Sequence, residues 1–128
     1  MATILESLVQ YVPKGKTVRL TMLPEKPVDV WVLSETRMNR VENELNVDSS
    51  VPMVDYINVY VRQSPDSTAY SNILSELLSF YESIFGCVNK YIGDYFIIDV
   101  TDYNVVPLGR DDKGNYIISL NFILKYEK

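Results

Sequence analysis

The stretch that decides the fold is "PLGRDDKGNYIISLNFILKYEK", Pro107 to Lys128. From Asn115 to Glu127 it alternates, with Tyr116, Ile118, Leu120, Phe122, Leu124 and Tyr126 set against Ile117, Ser119, Asn121, Ile123 and Lys125. A period of two puts successive side chains on opposite faces, so this is a strand whose register is fixed by burying one face. Asp111, Asp112, Gly114 and Asn115 before it are residues that favour turns. "YFIIDVTDY", Tyr95 to Tyr103, is the strand on the other side of that turn. Terminal residues usually fray; a strand running almost to Lys128 is expected to lock the sheet.

Working outward, "SPDSTAYSNILSELLSFYESIFG" carries Ile73, Leu74, Leu77, Leu78, Tyr81, Ile84 and Phe85 at helical spacing, with Asp66 or Ser67 as N-cap and Gly86 placed to end the helix in a left-handed conformation. "VDYINVYVRQ", Val54 to Gln63, is a strand with Ile57, Val59 and Val61 on one face and Tyr56 and Tyr60 on the other. "TVRLTML" (Thr17 to Leu23) and "VDVWVLS" (Val28 to Ser34) alternate as strands, and the intervening "PEKP" predicts a hairpin. The second of these has Trp31 and Leu33 opposite its valines, so both faces need cover, from helices or from a neighbouring subunit. Thr3 to Val12 reads as a helix, with Thr3 and Glu6 spaced as a capping box. Glu35 to Pro52 has mixed charge and no sustained period, and reads as a long, mobile loop. The expected class is α+β: a mainly antiparallel sheet of about five strands with two helices packed on it, in the order α-β-β-loop-β-α-β-β, as one domain over residues 1–128.

Composition narrows the function. A chain of 128 residues, 47% hydrophobic and 23% charged, is expected to bury roughly two thirds of its unfolded surface around one core. No run approaches the length of a membrane span, and no basic start or cleavage pattern marks a secretory leader, so the expected compartment is a cytoplasm. The net charge of −5 opposes sequence-independent binding to nucleic acid, because that rests on Lys and Arg neutralising phosphates. Histidine is absent, which removes the side chain best suited to proton transfer near neutrality. A lone Cys87 forms no internal disulfide and has no companions for a zinc site; it reads as a small buried hydrophobe. Asp94, Asp99, Asp102, Asp111 and Asp112 crowd one region, but without the ligand spacing of a calcium loop. No phosphate-cradling or nucleophile motif is present. These residues offer no catalytic set, no cofactor motif and no metal-ligand spacing, which lowers the expectation of an enzyme. Ten tyrosines, rigid and amphipathic, suit an interface.

Pro107, Gly109, Arg110, Asp111, Asp112 and Gly114, followed by Tyr116, Asn121 and Phe122, resemble the closing signature of the minor capsid or tail terminator proteins of long-tailed bacteriophages. There a Pro-x-x-Gly-Arg-Asp loop leads through an acidic-x-Gly turn into the last strand. The resemblance continues upstream through an N-terminal helix, the Pro-punctuated "MLPEKPVDVWVL", the strand "INVYVR" and a serine-led helix, and so spans nearly the whole chain. The sequence departs from the family pattern after Glu35 and Thr36, where relatives carry a glycine-rich stretch and this chain has none.

The resemblance implies a non-enzymatic structural virion protein, without cofactor or metal, at the head-proximal end of the tail, made in the host cytoplasm. It would form a ring, typically a hexamer, that caps the tail tube protein and offers the surface to which a head-completion or connector protein joins. Phage DNA would pass through without specific binding, and no membrane is involved. An acidic ring suits that passage. Trp31, Leu33, Tyr56, Tyr60 and Arg110 are the candidate subunit interface, and Glu35, Arg37, Arg40, Glu42, Glu44 and Asp48 a mobile or lumen-lining loop. Arg110 is expected to pin its own turn by bonding Asp111 or a carbonyl, with a bridge between subunits as the competing role. The alternatives are a head-completion or connector protein and, from another class, a small host ligand-binding domain.

Overall fold

The computed structural model describes residues 3–23, 26, 28–38, 52–64 and 70–128. Thr3 caps the first helix α1 (Ile4–Leu8) with the reciprocal Thr3–Glu6 bonds of a capping box, and a 3₁₀ turn (Val9–Tyr11) follows. The remaining elements are β1 (Val18–Leu20), β2 (Val30–Arg37), β3 (Met53–Gln63), α2 (Tyr70–Phe85), β4 (Tyr91–Ile92), β5 (Tyr95–Arg110) and β6 (Tyr116–Glu127).

The six strands form one sheet in the order β1-β2-β3-β6-β5-β4. It curls into a half-barrel, and the expected α+β class is overturned: the chain is mostly sheet, its strands are mixed in direction, and the described helices are only two. The hairpin expected around "PEKP" is the point of failure. β1 pairs with β2 in parallel, Val18 opposite Trp31 and Leu20 opposite Leu33. Such pairing normally needs a long crossover. Here β1 is only three residues, about 10 Å of strand, so a short connection suffices to reach a parallel neighbour. Thr21, at φ 72, begins that connection.

Two further boundaries moved for related reasons. β2 continues through Glu35, Thr36 and Arg37, paired with Ile57, Tyr56 and Asp55, so the start of the expected loop is strand. β5 runs to Arg110, placing Pro107, Gly109 and Arg110 in a strand instead of a loop. Proline is tolerated there because the β5–β6 register shifts between Pro107 and Gly109, and because β4 pairs only with Tyr95 and Phe96, leaving the outer edge without a described strand. Gly86 does not end α2 in the left-handed region; Gly86 N–H still bonds Glu82 O, and the positive φ falls at Asn89. Asp66, Ser67 and the caps proposed on them lie outside the described residues.

Both helices pack on one face. Ile73, Leu77, Phe80 and Ile84, spaced for a single helical stripe, join Ile4, Leu5 and Leu8 over Trp31, Leu33, Ile57, Val59, Ile118, Leu120, Phe122 and Leu124. Trp31 meets Phe80 edge-on, with ring centroids 5.8 Å apart. Leu78 and Phe85, expected in the stripe, are exposed, and Phe80 takes their place in the core.

Candidate assembly surface

The other face of the sheet carries the second residue of each alternation. Registry aligns it in cross-strand rows: Val32, Tyr60, Ser119 and Val106; Ser34, Asn58, Asn121 and Asn104; Thr36, Tyr56, Ile123 and Thr101. Val30 and Val32 are each 2% exposed yet do not belong to the main core cluster, which gathers the helices on the opposite face. Leu23 and Leu108 wall a groove of about 270 Å³ over Val32, Ser34, Tyr60 and Ile117. Leu23 and Leu108 remain about half exposed, at 46% and 51%. In the middle row the Asn58 Oδ1 is buried and accepts no hydrogen bond, a condition that ordinarily costs about 1–3 kcal/mol.

The expected interface residues divide between the two faces. Trp31 and Leu33 are 2% and 0% exposed in the helix-covered core, so they cannot meet a neighbour. Tyr56 and Tyr60 lie on the open face, where Tyr60 helps to floor the groove. Arg110 is exposed near the end of β5. Its guanidinium lies over the Tyr116 ring, 4.5 Å from the centroid, and donates to the Tyr116 hydroxyl; among the described residues neither Asp111 nor a carbonyl is its partner.

The turn between β5 and β6 is built by Asp111. Its Oδ1 accepts from the N–H groups of Lys113 and Asn115, both at 2.9 Å, and its Oδ2 accepts from Asn115 Nδ2 at 3.0 Å. The Asn115 side chain, with the two backbone donors, holds the Asp111 carboxyl below the usual carboxylate range. Gly114, at φ 81, closes the turn in a conformation that disfavours a side chain. Asp112 is exposed at the tip. The family-like residues thus form a self-contained hairpin end, and their carboxylates are engaged in the turn or open to solvent. Among the described residues no group of three or more His, Cys, Asp or Glu side chains could hold a metal ion.

Of the expected lumen loop, Glu35 and Arg37 belong to β2, and Met38 N–H still bonds Val54 O at 2.8 Å. Arg40, Glu42, Glu44 and Asp48 lie outside the described residues. The strand extension brings together a polar cluster that the sequence reading missed. Asp55, 0% exposed, accepts from the Tyr126 hydroxyl at 2.6 Å and from Arg37 Nε. Burial first, and then the bond to Asp55, raise the Tyr126 phenol well above its ordinary range. Partial burial, and then the nearby Asp55 carboxyl, push the Glu35 carboxyl up to about 6. These groups border a cavity of about 290 Å³ shared with Thr3, Ile4, Met53, Tyr95 and Lys128. The signal was an aspartate at a core-facing position of β3, in phase with Ile57 and Val59; Leu23 and Leu108, by contrast, meet only through the tertiary fold.

No protein-family model matches the chain, and no curated protein matches it significantly in sequence.

Proposed function

We propose that this chain is a non-enzymatic, ring-forming structural protein of a bacteriophage virion, acting as a tail terminator that caps the tail tube and presents the joining surface for the head. The observation that carries the assembly part is the open sheet face: an apolar groove walled by half-exposed Leu23 and Leu108, with Tyr56 and Tyr60 beside it and no described helix in its lining. Apolar surface of this kind marks interaction sites. The virion part rests on the resemblance of Pro107–Gly114 and the strand after it. The net charge of −5 is compatible with DNA passing through a ring without adhering.

Light scattering across protein concentration, with electron microscopy of the largest species, tests the reading. A closed ring is expected, with Leu108→Asp leaving the monomer folded but reducing assembly at least tenfold, as expected for an apolar anchor. Monomer alone at high concentration, both free and in the presence of isolated tail tubes, opposes it. A head-completion or connector role uses the same ring and is separated by which virion component binds it.

A ligand-binding domain is the second reading, favoured by the cavity beside Glu35, Arg37, Tyr95 and Tyr126. It predicts that substitutions at those residues, and none at Leu108, impair function.

A further inference from the structure

The sheet has two edges of opposite character. β1 closes one of them, and residues 14–26 around it carry Lys14, Lys16, Arg19 and Lys26 against the single acid Glu25, in a chain whose acids outnumber its bases by 17 to 12. Lys16 is taken up by Glu76 of α2 at 3.1 Å, whereas Lys14, Arg19 and Lys26 are exposed. Met22, just beyond β1, is 75% exposed.

The other edge is acidic. Residues 94–104, from the β4–β5 turn along β5, hold Asp94, Asp99 and Asp102 and no Lys or Arg, and all three carboxylates are exposed. Lys125 of β6, opposite Asp99, and Lys90, before β4, offset this only in part. α2 brings rings to the same edge: Tyr81 packs on Tyr103 of β5, with centroids 4.4 Å apart, and on Phe85 at 6.0 Å, while Leu78, Phe85 and Tyr103 stay exposed. Glu82 adds a fourth exposed carboxylate there; burial, and then the Glu82 charge, raise the Tyr103 phenol.

Neither edge is built for strand addition. β1 has three residues, and β5 is broken by three register shifts, by Asp102 at φ 56 and by Pro107, features that keep an edge from pairing with another chain through its backbone. What the edges offer is side chains: a thioether and cations on one, rings and carboxylates on the other. A thioether packs favourably on aromatic rings, and complementary charges direct two patches together. Every copy carries both patches, on opposite sides of the strand order, so the contact they fit is heterologous and repeats from copy to copy.

We propose that the basic β1 edge of one copy docks, side chain to side chain, on the acidic and aromatic α2–β5 edge of the next. The inference rests on the ring reading and names the surfaces that close the ring. Leu108, further along β5, links this edge to the apolar groove.

Charge exchange in the full chain tests it, with sedimentation velocity across protein concentration and with melting temperatures to show that each variant is folded. Lys14→Glu with Arg19→Glu, and separately Glu82→Lys with Asp102→Lys, should each weaken assembly by about tenfold or more. Mixing the two sets should restore it, since opposite charges then meet at every contact. The positive φ of Asp102 suits asparagine better than lysine, so Glu82→Lys with Asp102→Asn is the second variant of the acidic edge. Raising salt from about 50 mM to about 500 mM should weaken the wild-type assembly. A wild-type ring that charge exchange or salt leaves unchanged, or a mixture of folded variants that stays apart, overturns the edge contact and leaves the ring reading standing. Wild-type protein that stays monomeric, both free and with isolated tail tubes, overturns both.

Discussion

The two faces of the one sheet are built from alternate residues of the same strands, yet they differ in what completes them. On one face, Phe80 and Ile84 of α2 and Leu5 and Leu8 of α1 fill the space over Trp31, Ile57 and Phe122, and the cluster contains no unsatisfied buried side chain among the described residues. On the other, an asparagine row interrupts the apolar pattern, one acceptor has no partner, and an apolar groove stays open. The first face accounts for folding. The second is left without a covering helix among the described residues, at some cost to the monomer.

The sharpest way to break that contrast is on the covered face. Phe80→Ala removes an aromatic ring that is 0% exposed and in edge contact with Trp31; it should lower stability by about 3–5 kcal/mol in denaturant titration. A loss below about 1 kcal/mol would mean that the helix is not what completes the core. Tyr126→Phe deletes the phenol donor to a fully buried carboxylate, so a loss of about 1.5–3 kcal/mol is expected by the same measurement.

On the open face the sign reverses. Asn58→Leu removes the orphaned acceptor and should raise the melting temperature of the monomer, by the equivalent of about 1 kcal/mol, while weakening any assembly that uses the polar row. A destabilised monomer would show that the amide is satisfied within the chain.

Smaller effects separate the hairpin end from both faces. Arg110→Ala loses an exposed cation–π contact and one hydrogen bond, for about 0.5–1 kcal/mol in melting experiments. Unchanged melting with lost assembly would transfer Arg110 to the interface. For Glu35 the folded carboxyl is raised to about 6 from an ordinary 4.5, so its contribution is fully present below the unfolded value and is lost as pH rises through about 6. Because the group is solvent-exposed on its outer side, the loss should be about 1 kcal/mol or less. The difference between wild type and Glu35→Gln in denaturant midpoints across that range checks it, and a difference independent of pH would refute the raised carboxyl.

The strands were legible where alternation was strict. β6 and β3 occupy nearly the spans that their period of two predicts, because burying one face leaves a strand no other register. The capping box of α1 was equally readable, being a local exchange of two hydrogen bonds. Of the residues on the face that the helices leave uncovered, the sequence reading had singled out Tyr56 and Tyr60. Leu23 and Leu108 are far apart in sequence, one at the end of an expected strand and the other in an expected loop; their shared groove exists only once the sheet has formed.

What the sequence determined by itself is therefore local: which residues alternate, which helix turn is capped, and the acidic, histidine-free character of the molecule. Tertiary structure alone decided the direction of β1, the length of β5 and the face to which each strand is committed. The parallel β1–β2 pair depends on the end of β1 at which β2 begins, which no periodicity encodes. The extension of β5 through Pro107 depends on an edge that no described strand occupies. Trp31 was read as needing cover from either a helix or a neighbouring subunit, because a strand pattern states only that a face is apolar; the arrival of Phe80, from an element separated by all of β3, is what made it core.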